Sequence, residues 1–158
     1  MAQNRSMEAR VGRKNQRYGS KGERLVAGVV PLSNDKSRVL MIQSAGPGGW
    51  VLPKGGWETD ESTAQQAACR EAWEEAGVIC TVQRDLGLIP DMRPNTLLTS
   101  NAPKASYQFF EVTVEKEEAD WPERHKRQRK WVTYAQAAHA LANRPELLEA
   151  LNRSSLQR

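Results

Sequence analysis

The sequence predicts an α/β fold in which helices cover a mixed β-sheet, and three observations carry that expectation. Short β-branched runs recur along the chain, at 24–32, 38–43, 78–89 and 105–115. One long helical stretch interrupts them, and two shorter ones close the chain. The elements do not alternate strand and helix, which sets the chain apart from a doubly wound parallel sheet.

A chain of 158 residues fits one domain able to bury a core. The first twenty residues are polar and basic, with Arg5, Arg10, Arg13, Lys14 and Arg17. Residues 1–20 are therefore expected as a basic, flexible N-terminal arm, and residues 21–155 as the domain. A solvated tail is the plain account of the arm; a flap over an anionic ligand is the sharper one. No apolar run approaches the roughly 20 residues of a membrane span, and no signal-peptide core follows Met1. The expectation is a monomer in the cytoplasm or nucleus with no membrane partner. Cys69 and Cys80 are too few for a disulfide framework and read as reduced thiols.

R-L-V-A-G-V-V-P-L at 24–32 reads as a buried strand, 33–37 as a turn, and R-V-L-M-I-Q at 38–43 as the second strand of a hairpin. The small-residue loop S-A-G-P-G-G at 44–49 is a turn or a backbone phosphate cradle. Beyond the long helix come a strand at 78–89, a polar loop to Lys104 and an aromatic-rich strand at 105–115. The basic run H-K-R-Q-R-K leads into a strand W-V-T-Y, then a helix at 135–143. Pro145 opens the last helix as an N1 proline.

The chain is organised around residues 53–78, P-K-G-G-W-E-T-D-E-S-T-A-Q-Q-A-A-C-R-E-A-W-E-E-A-G-V. Ser62 with Gln65 forms a capping box, the alanines favour helix, and Gly77 is the stop. Ala64, Ala67 and Ala68 share one side, which Glu71, Glu74 and Glu75 continue. Carboxylates at the negative pole of a helix cost roughly 0.3–1 kcal/mol each, and these also repel one another. Arg70 can pair with Glu74 at i, i+4, but negative charge is left over. A solvated acidic helix end is one reading. The other is a hard divalent cation, Mg²⁺ or Mn²⁺, which takes carboxylate oxygens, water and substrate phosphates. Net charge is nonetheless +4, with a pI near 9.3, so basic residues collect elsewhere and point to a polyanionic partner. H-K-R-Q-R-K alone is equally a solvated loop or a nucleic-acid or localisation patch.

Gly55-x5-Glu61, followed by Arg70-Glu71-Ala72-Trp73-Glu74-Glu75-Ala76-Gly77-Val78, resembles the Nudix box of hydrolases that cleave diphosphate-linked substrates. Two positions depart from that pattern. Eight residues separate Glu61 from Arg70 where the box has seven, so counting back from Arg70 gives Gly56 and Ser62 instead; and the apolar position before Trp73 is only Ala72. The resemblance implies the Nudix fold, an α/β/α sandwich with the box as loop–helix–loop. It makes Glu71 and Glu75 the principal metal ligands, with the backbone carbonyl of Gly55 or Gly56. Glu74 is either a further ligand or the partner of Arg70, which orients the carboxylates. Glu75 is the expected proton acceptor for the attacking water.

L-P-K-G-G, D-M-R-P, H-K-R-Q-R-K-W and R-P-E-L-L-E-A-L-N-R-S, spread over about residues 20–155, are similar to the fungal diphosphoinositol polyphosphate phosphohydrolases. That resemblance implies removal of the terminal phosphate from an inositol pyrophosphate, with cleavage of diadenosine polyphosphates and inorganic polyphosphate. It places Arg24, Arg127, Arg129 and Arg144 among the phosphate-binding residues, with Lys21 and Arg93 in loops that align less sharply. Lys54 joins them through its place beside Gly55. Nucleic acid is not an obligate partner. A hydrolase of dinucleoside polyphosphates or capped RNA would need an aromatic clamp drawn from Trp50, Trp57, Tyr107 and Trp131. A non-catalytic polyanion-binding module has no use for the self-repelling carboxylates.

Overall fold

In the computed structural model, the described residues are 5–100 and 103–158. In chain order the elements are β1 (Arg24–Leu32), β2 (Val39–Gln43), β3 (Trp50–Val51), β4 (Lys54–Gly56), α1 (Ala64–Ala76) and β5 (Val78–Pro90). A short 3₁₀ turn (Asn95–Leu97), β6 (Ala105–Glu117), β7 (Arg129–Val132), α2 (Tyr134–Ala140) and α3 (Pro145–Arg153) follow. The seven strands form one mixed sheet with the helices packed against it, which is the α/β class expected.

The apolar run of β1 makes it the centre, buried from Val26 to Leu32. One edge pairs in parallel with β6 over its whole length, from Arg24↔Ala105 to Leu32↔Thr113. The other edge is shared between two short partners. Leu32 pairs with Val39 at the β1–β2 hairpin, and Val26, Ala27 and Gly28 pair antiparallel with Gly56, Gly55 and Lys54. The Lys-Gly-Gly triplet of the box is thus a strand fixed to the middle of the sheet, and α1 packs across β1 and β4. Gly28 lets this happen: a Cβ there would stand 2.5 Å from the Phe109 ring and 2.8 Å from the Pro53 carbonyl oxygen.

Local boundaries differ from the sequence expectation in two places. The cap of α1 is Thr63, whose Oγ1 accepts from the Gln66 N–H at 3.1 Å, while the Gln66 side chain accepts from Ser62 N–H at 3.2 Å. The Ser62–Gln65 box is shifted by one because Thr63 and Gln66 have the same spacing. W-V-T-Y does not remain strand: Thr133 caps α2 in a capping box with Gln136, which leaves Arg129 and Lys130 to begin β7. The long strand β5 holds register with β6 only through three irregularities.

Candidate active site

The Ala stripe of α1 is buried, and so is its acidic continuation. Ala67, Ala68, Ala72 and Ala76 are fully buried, while Glu71, Glu74 and Glu75 are 8%, 4% and 8% exposed. A solvated acidic helix end is therefore excluded. Gly77 ends the helix in the left-handed region at φ 67°, and its N–H donates to the Trp73 carbonyl at 3.0 Å.

Arg70 gathers much of the charge. Its Nε and Nη2 donate to the two oxygens of Glu61 at 2.7 and 2.9 Å, and Nη2 also reaches the Gly56 carbonyl at 2.9 Å. Nη1 donates to Glu71 at 3.0 Å and Glu74 at 3.3 Å. Burial alone would lower the guanidinium pKa, but Glu61, Glu71 and Glu74 together hold it raised. Glu61, 2% exposed, also accepts from the Glu58 N–H at 3.0 Å. It locks the loop between β4 and α1 to the helix, and the extra residue before Arg70 leaves that pairing intact.

Glu71 lies against Gly55 so closely that any Cβ there would collide with its carboxyl group. Glu75 accepts from the Lys54 N–H at 3.1 Å and stands 3.5 Å from Arg127 Nη2. Burial, followed by the Glu75 charge, pushes Glu71 up to about 8. Burial pushes Glu75 up to about 7 against the pull of Lys54 and Arg127. Burial raises Glu74 also, with Arg70 opposing.

These groups line a cavity of about 460 Å³. Glu71, Glu74 and Glu75 stand in its wall with Gly55 and Gly56, as do the cations Arg24, Lys54 and Arg144. Burial lowers the Lys54 ammonium pKa, opposed by Glu75 and assisted by Arg144. Burial, then the nearby Arg13, lowers Arg24. Acidic and basic side chains thus face one cavity.

Among the described residues, no three His, Cys, Asp or Glu side chains form a ready-made metal cage. Mg²⁺ does not require one, since it is usually held by one or two carboxylates with water and substrate phosphates. Two buried carboxylates raised by burial, with a glycine cleared beside one of them, fit that donor set. Glu74 fits less well, because Arg70 takes one oxygen and the Arg10 N–H reaches the other at 3.3 Å.

The remaining basic residues assigned from sequence do not converge. Arg127 is held by Glu123 at 2.6 Å and by the Gln43 carbonyl at 2.7 Å; it does not line the cavity and meets it through Glu75 and Glu123. Arg129 donates to the Ala76 and Glu118 carbonyls at 2.8 and 2.7 Å and lies over the Trp121 ring. It satisfies the carbonyl end of α1 and does not line the cavity, because that helix end needs a donor. Lys21 sits exposed in the 19–23 turn. Arg93 is paired with Asp91 and bonded to the Pro103 carbonyl, beside a neighbouring cavity of about 440 Å³ that shares Tyr107 and Arg144 with the first. The aromatic candidates disperse too. Trp50 lies under Lys130, Trp57 under Arg17, Trp131 bonds Glu117, and only Tyr107 of the four lines the acidic cavity.

The same cavity wall holds Gln16 and Glu123, which the sequence did not single out, and Arg10 and Arg13, which it placed in the basic arm but not among the site residues. Apart from Glu123, these residues come from that arm, of which residues 1–4 lie outside the described residues. Residues 5–20 run against the box: Ser6 accepts from Trp73 Nε1 at 2.9 Å, and Gln16 and Tyr18 make bridges to Glu58 and Arg24. The polar G-R-K-N-Q run carried no apolar signal that would have announced this docking.

Fold and box together define a Nudix-type chain. The NUDIX domain model matches residues 22–152, and the chain belongs to that family. It is 37% identical to Nudix hydrolase 16, mitochondrial, of Arabidopsis thaliana over 163 residues, covering 90% of this chain and 85% of the relative. Among solved structures it resembles a NUDIX hydrolase from Nitrosomonas europaea, with a TM-score of 0.67 at 17% identity over 83% of this chain and 87% of the other. It also resembles the Ap4A hydrolase of C. elegans, with a TM-score of 0.62 at 23% identity over 82% and 93%. The two structural likenesses speak for the fold.

Proposed function

We propose that this chain is a divalent-cation-dependent phosphoanhydride hydrolase that removes the terminal phosphate of a diphosphoinositol polyphosphate, and that diadenosine polyphosphates and inorganic polyphosphate are further substrates. The observation that carries the reading is the single cavity in which buried Glu71 and Glu75 stand with Arg24, Lys54 and Arg144. A substrate with many phosphates answers both halves: its anions meet the cations, and a cation shared with the carboxylates neutralises the reacting group.

Glu71, Glu75 and the carbonyl of Gly55 or Gly56 would hold Mg²⁺ or Mn²⁺, Glu74 joining them only if it leaves its partners. The bound cation supplies charge neutralisation and acidifies the attacking water. Glu75 takes the water's proton as general base. Lys54, fixed by β4, and Arg127, fixed by Glu123 and Gln43, hold the Glu75 carboxylate in place. Arg24 and Arg144 orient the phosphates. The expected site of action remains the cytoplasm or nucleus, although the plant relative's name places that protein in mitochondria. No helix among the described residues is long and apolar enough to cross a membrane.

A dinucleoside polyphosphate is the second reading. The adjoining cavity favours it, since Met92, Pro94, Leu97 and Tyr107 offer apolar surface beside Arg144. Cleavage measured in parallel with Mg²⁺ decides: inorganic phosphate released from a diphosphoinositol, and mononucleotides formed from a diadenosine polyphosphate. A kcat/KM higher for the inositol compound is expected; the reverse order transfers the assignment. No metal-dependent cleavage of either would leave a polyanion-binding module.

A further inference from the structure

Residues 5–18 approach the box from outside the span that the family model covers. Their inner end is sewn in place. Gln16, 7% exposed, donates from Nε2 to the Arg17 and Leu25 carbonyls at 2.7 and 2.8 Å, and its Oε1 accepts from Arg24 Nε at 2.9 Å. Thr59 N–H donates to the Asn15 carbonyl at 2.7 Å, and Arg17 N–H to the Trp57 carbonyl at 2.9 Å. Gly56 leaves room for this, because a Cβ there would strike Gln16 Oε1.

The outer end is held by charge. Arg10 Nη1 donates to Glu58 at 2.7 Å and to both oxygens of Asp60 at 2.8 and 3.0 Å. Between the two attachments the chain turns through Gly12 at φ 78° with open space around it. Arg10, Gly12, Arg13 and Gln16 then face the same cavity as Glu71 and Lys54.

Two consequences follow for an anion entering there. Glu58 also lines the cavity, and Arg10 neutralises a carboxylate that would otherwise repel phosphate. Arg13 adds a further cation near Arg24, whose guanidinium feels its charge. Arg13 and Arg24 thus bring two cations to one side of the cavity, where a phosphate can meet both.

We propose that residues 10–16 are a built wall of the active site, latched by Arg10 across Glu58 and Asp60, and that Arg13 is a phosphate ligand for a multiply phosphorylated substrate. This rests on the phosphoanhydride reading above. It adds a specificity determinant outside the domain core: the wall rewards substrates with several phosphates and does little for a short one.

The test uses the full chain and inorganic tripolyphosphate, with pyrophosphate as the short comparison. Calorimetric titration in EDTA separates binding from turnover, and thermal unfolding confirms that each variant folds. R13A is expected to weaken tripolyphosphate binding roughly tenfold and pyrophosphate binding clearly less, the loss of one charge-assisted contact. R13K should recover part of the affinity. R10Q should weaken tripolyphosphate as well and speed tryptic cleavage after Arg13, because the latch is gone. Tripolyphosphate affinity within about twofold of wild type in R13A, while wild type still hydrolyses polyphosphate with Mg²⁺, overturns the wall alone. Wild type that neither binds tripolyphosphate nor releases phosphate from any anhydride overturns the functional reading and the wall with it.

Discussion

Arg70 decides how the box tolerates its own charge. A half-buried guanidinium bonded to both oxygens of Glu61 and reaching Glu71 and Glu74 converts a repelling cluster into a network. Removing one partner from such a network costs far more than its net contribution, since a buried charge is left without its mate. Glu61→Ala is therefore expected to lower stability by about 3 kcal/mol in urea unfolding. A loss below half a kcal/mol would mean that Glu71 and Glu74 suffice for Arg70. Glu75→Gln belongs to the opposite class. It removes a carboxyl whose charge burial already disfavours, so unfolding should be unchanged or slightly later while kcat falls by roughly 10² or more. Near wild-type turnover would remove Glu75 from the mechanism.

Helix α1 was legible as an element because its cap, alanine stripe and glycine stop are all local signals. What sequence could not show is what meets its ends. Arg129 looked like one more cation in a basic run, yet the Ala76 carbonyl lies 53 residues away in sequence, a partner no spacing rule reveals. Lys54 and Glu75 are joined in the same non-local way, because β4 pairs with β1 beneath the helix. Gly77 tests how tightly that end is built. Its φ of 67° is unfavourable for other residues, and a Cβ would stand 2.7 Å from the Trp121 ring and 2.8 Å from Arg129 Nη1. Gly77→Ala should therefore cost about 2 kcal/mol or more, beyond the ~1 kcal/mol of a left-handed position alone. A smaller loss in thermal or urea unfolding would show that Trp121 and Arg129 yield without strain.

At the scale of the molecule, the α/β fold and the acidic stretch of α1 were readable from the sequence, but which cations line the cavity beside it was not. Composition reports that basic residues exist, and only the sheet decides that Arg24, Lys54 and Arg144 meet while Lys21, Arg93 and Arg129 do not. The same architecture fixes a pH signature. Glu71 and Glu75 have folded values of about 8 and about 7 against an ordinary 4.5, so the folded protein binds their protons more tightly than the unfolded chain. A raised carboxylate contributes stability that is fully present below 4.5 and is lost as pH rises through the folded values. Between pH 5 and 7 the metal-free protein should accordingly lose thermal stability, with Glu74 acting in the same direction. Asp35 and Asp91, lowered to about 2, titrate below this window, and the Cys69 thiol, lowered to about 7 by a hydrogen bond with the Cys80 thiol, has its effect above it. Under the proposed function, a divalent cation held by Glu71 and Glu75 would replace those protons, which would flatten the profile and make binding release protons near neutral pH. Melting temperatures across pH 5–7 in EDTA and in excess Mg²⁺ should diverge as pH rises, the metal-bound protein gaining most at pH 7. Parallel curves would mean that the cation is not held by these two carboxylates.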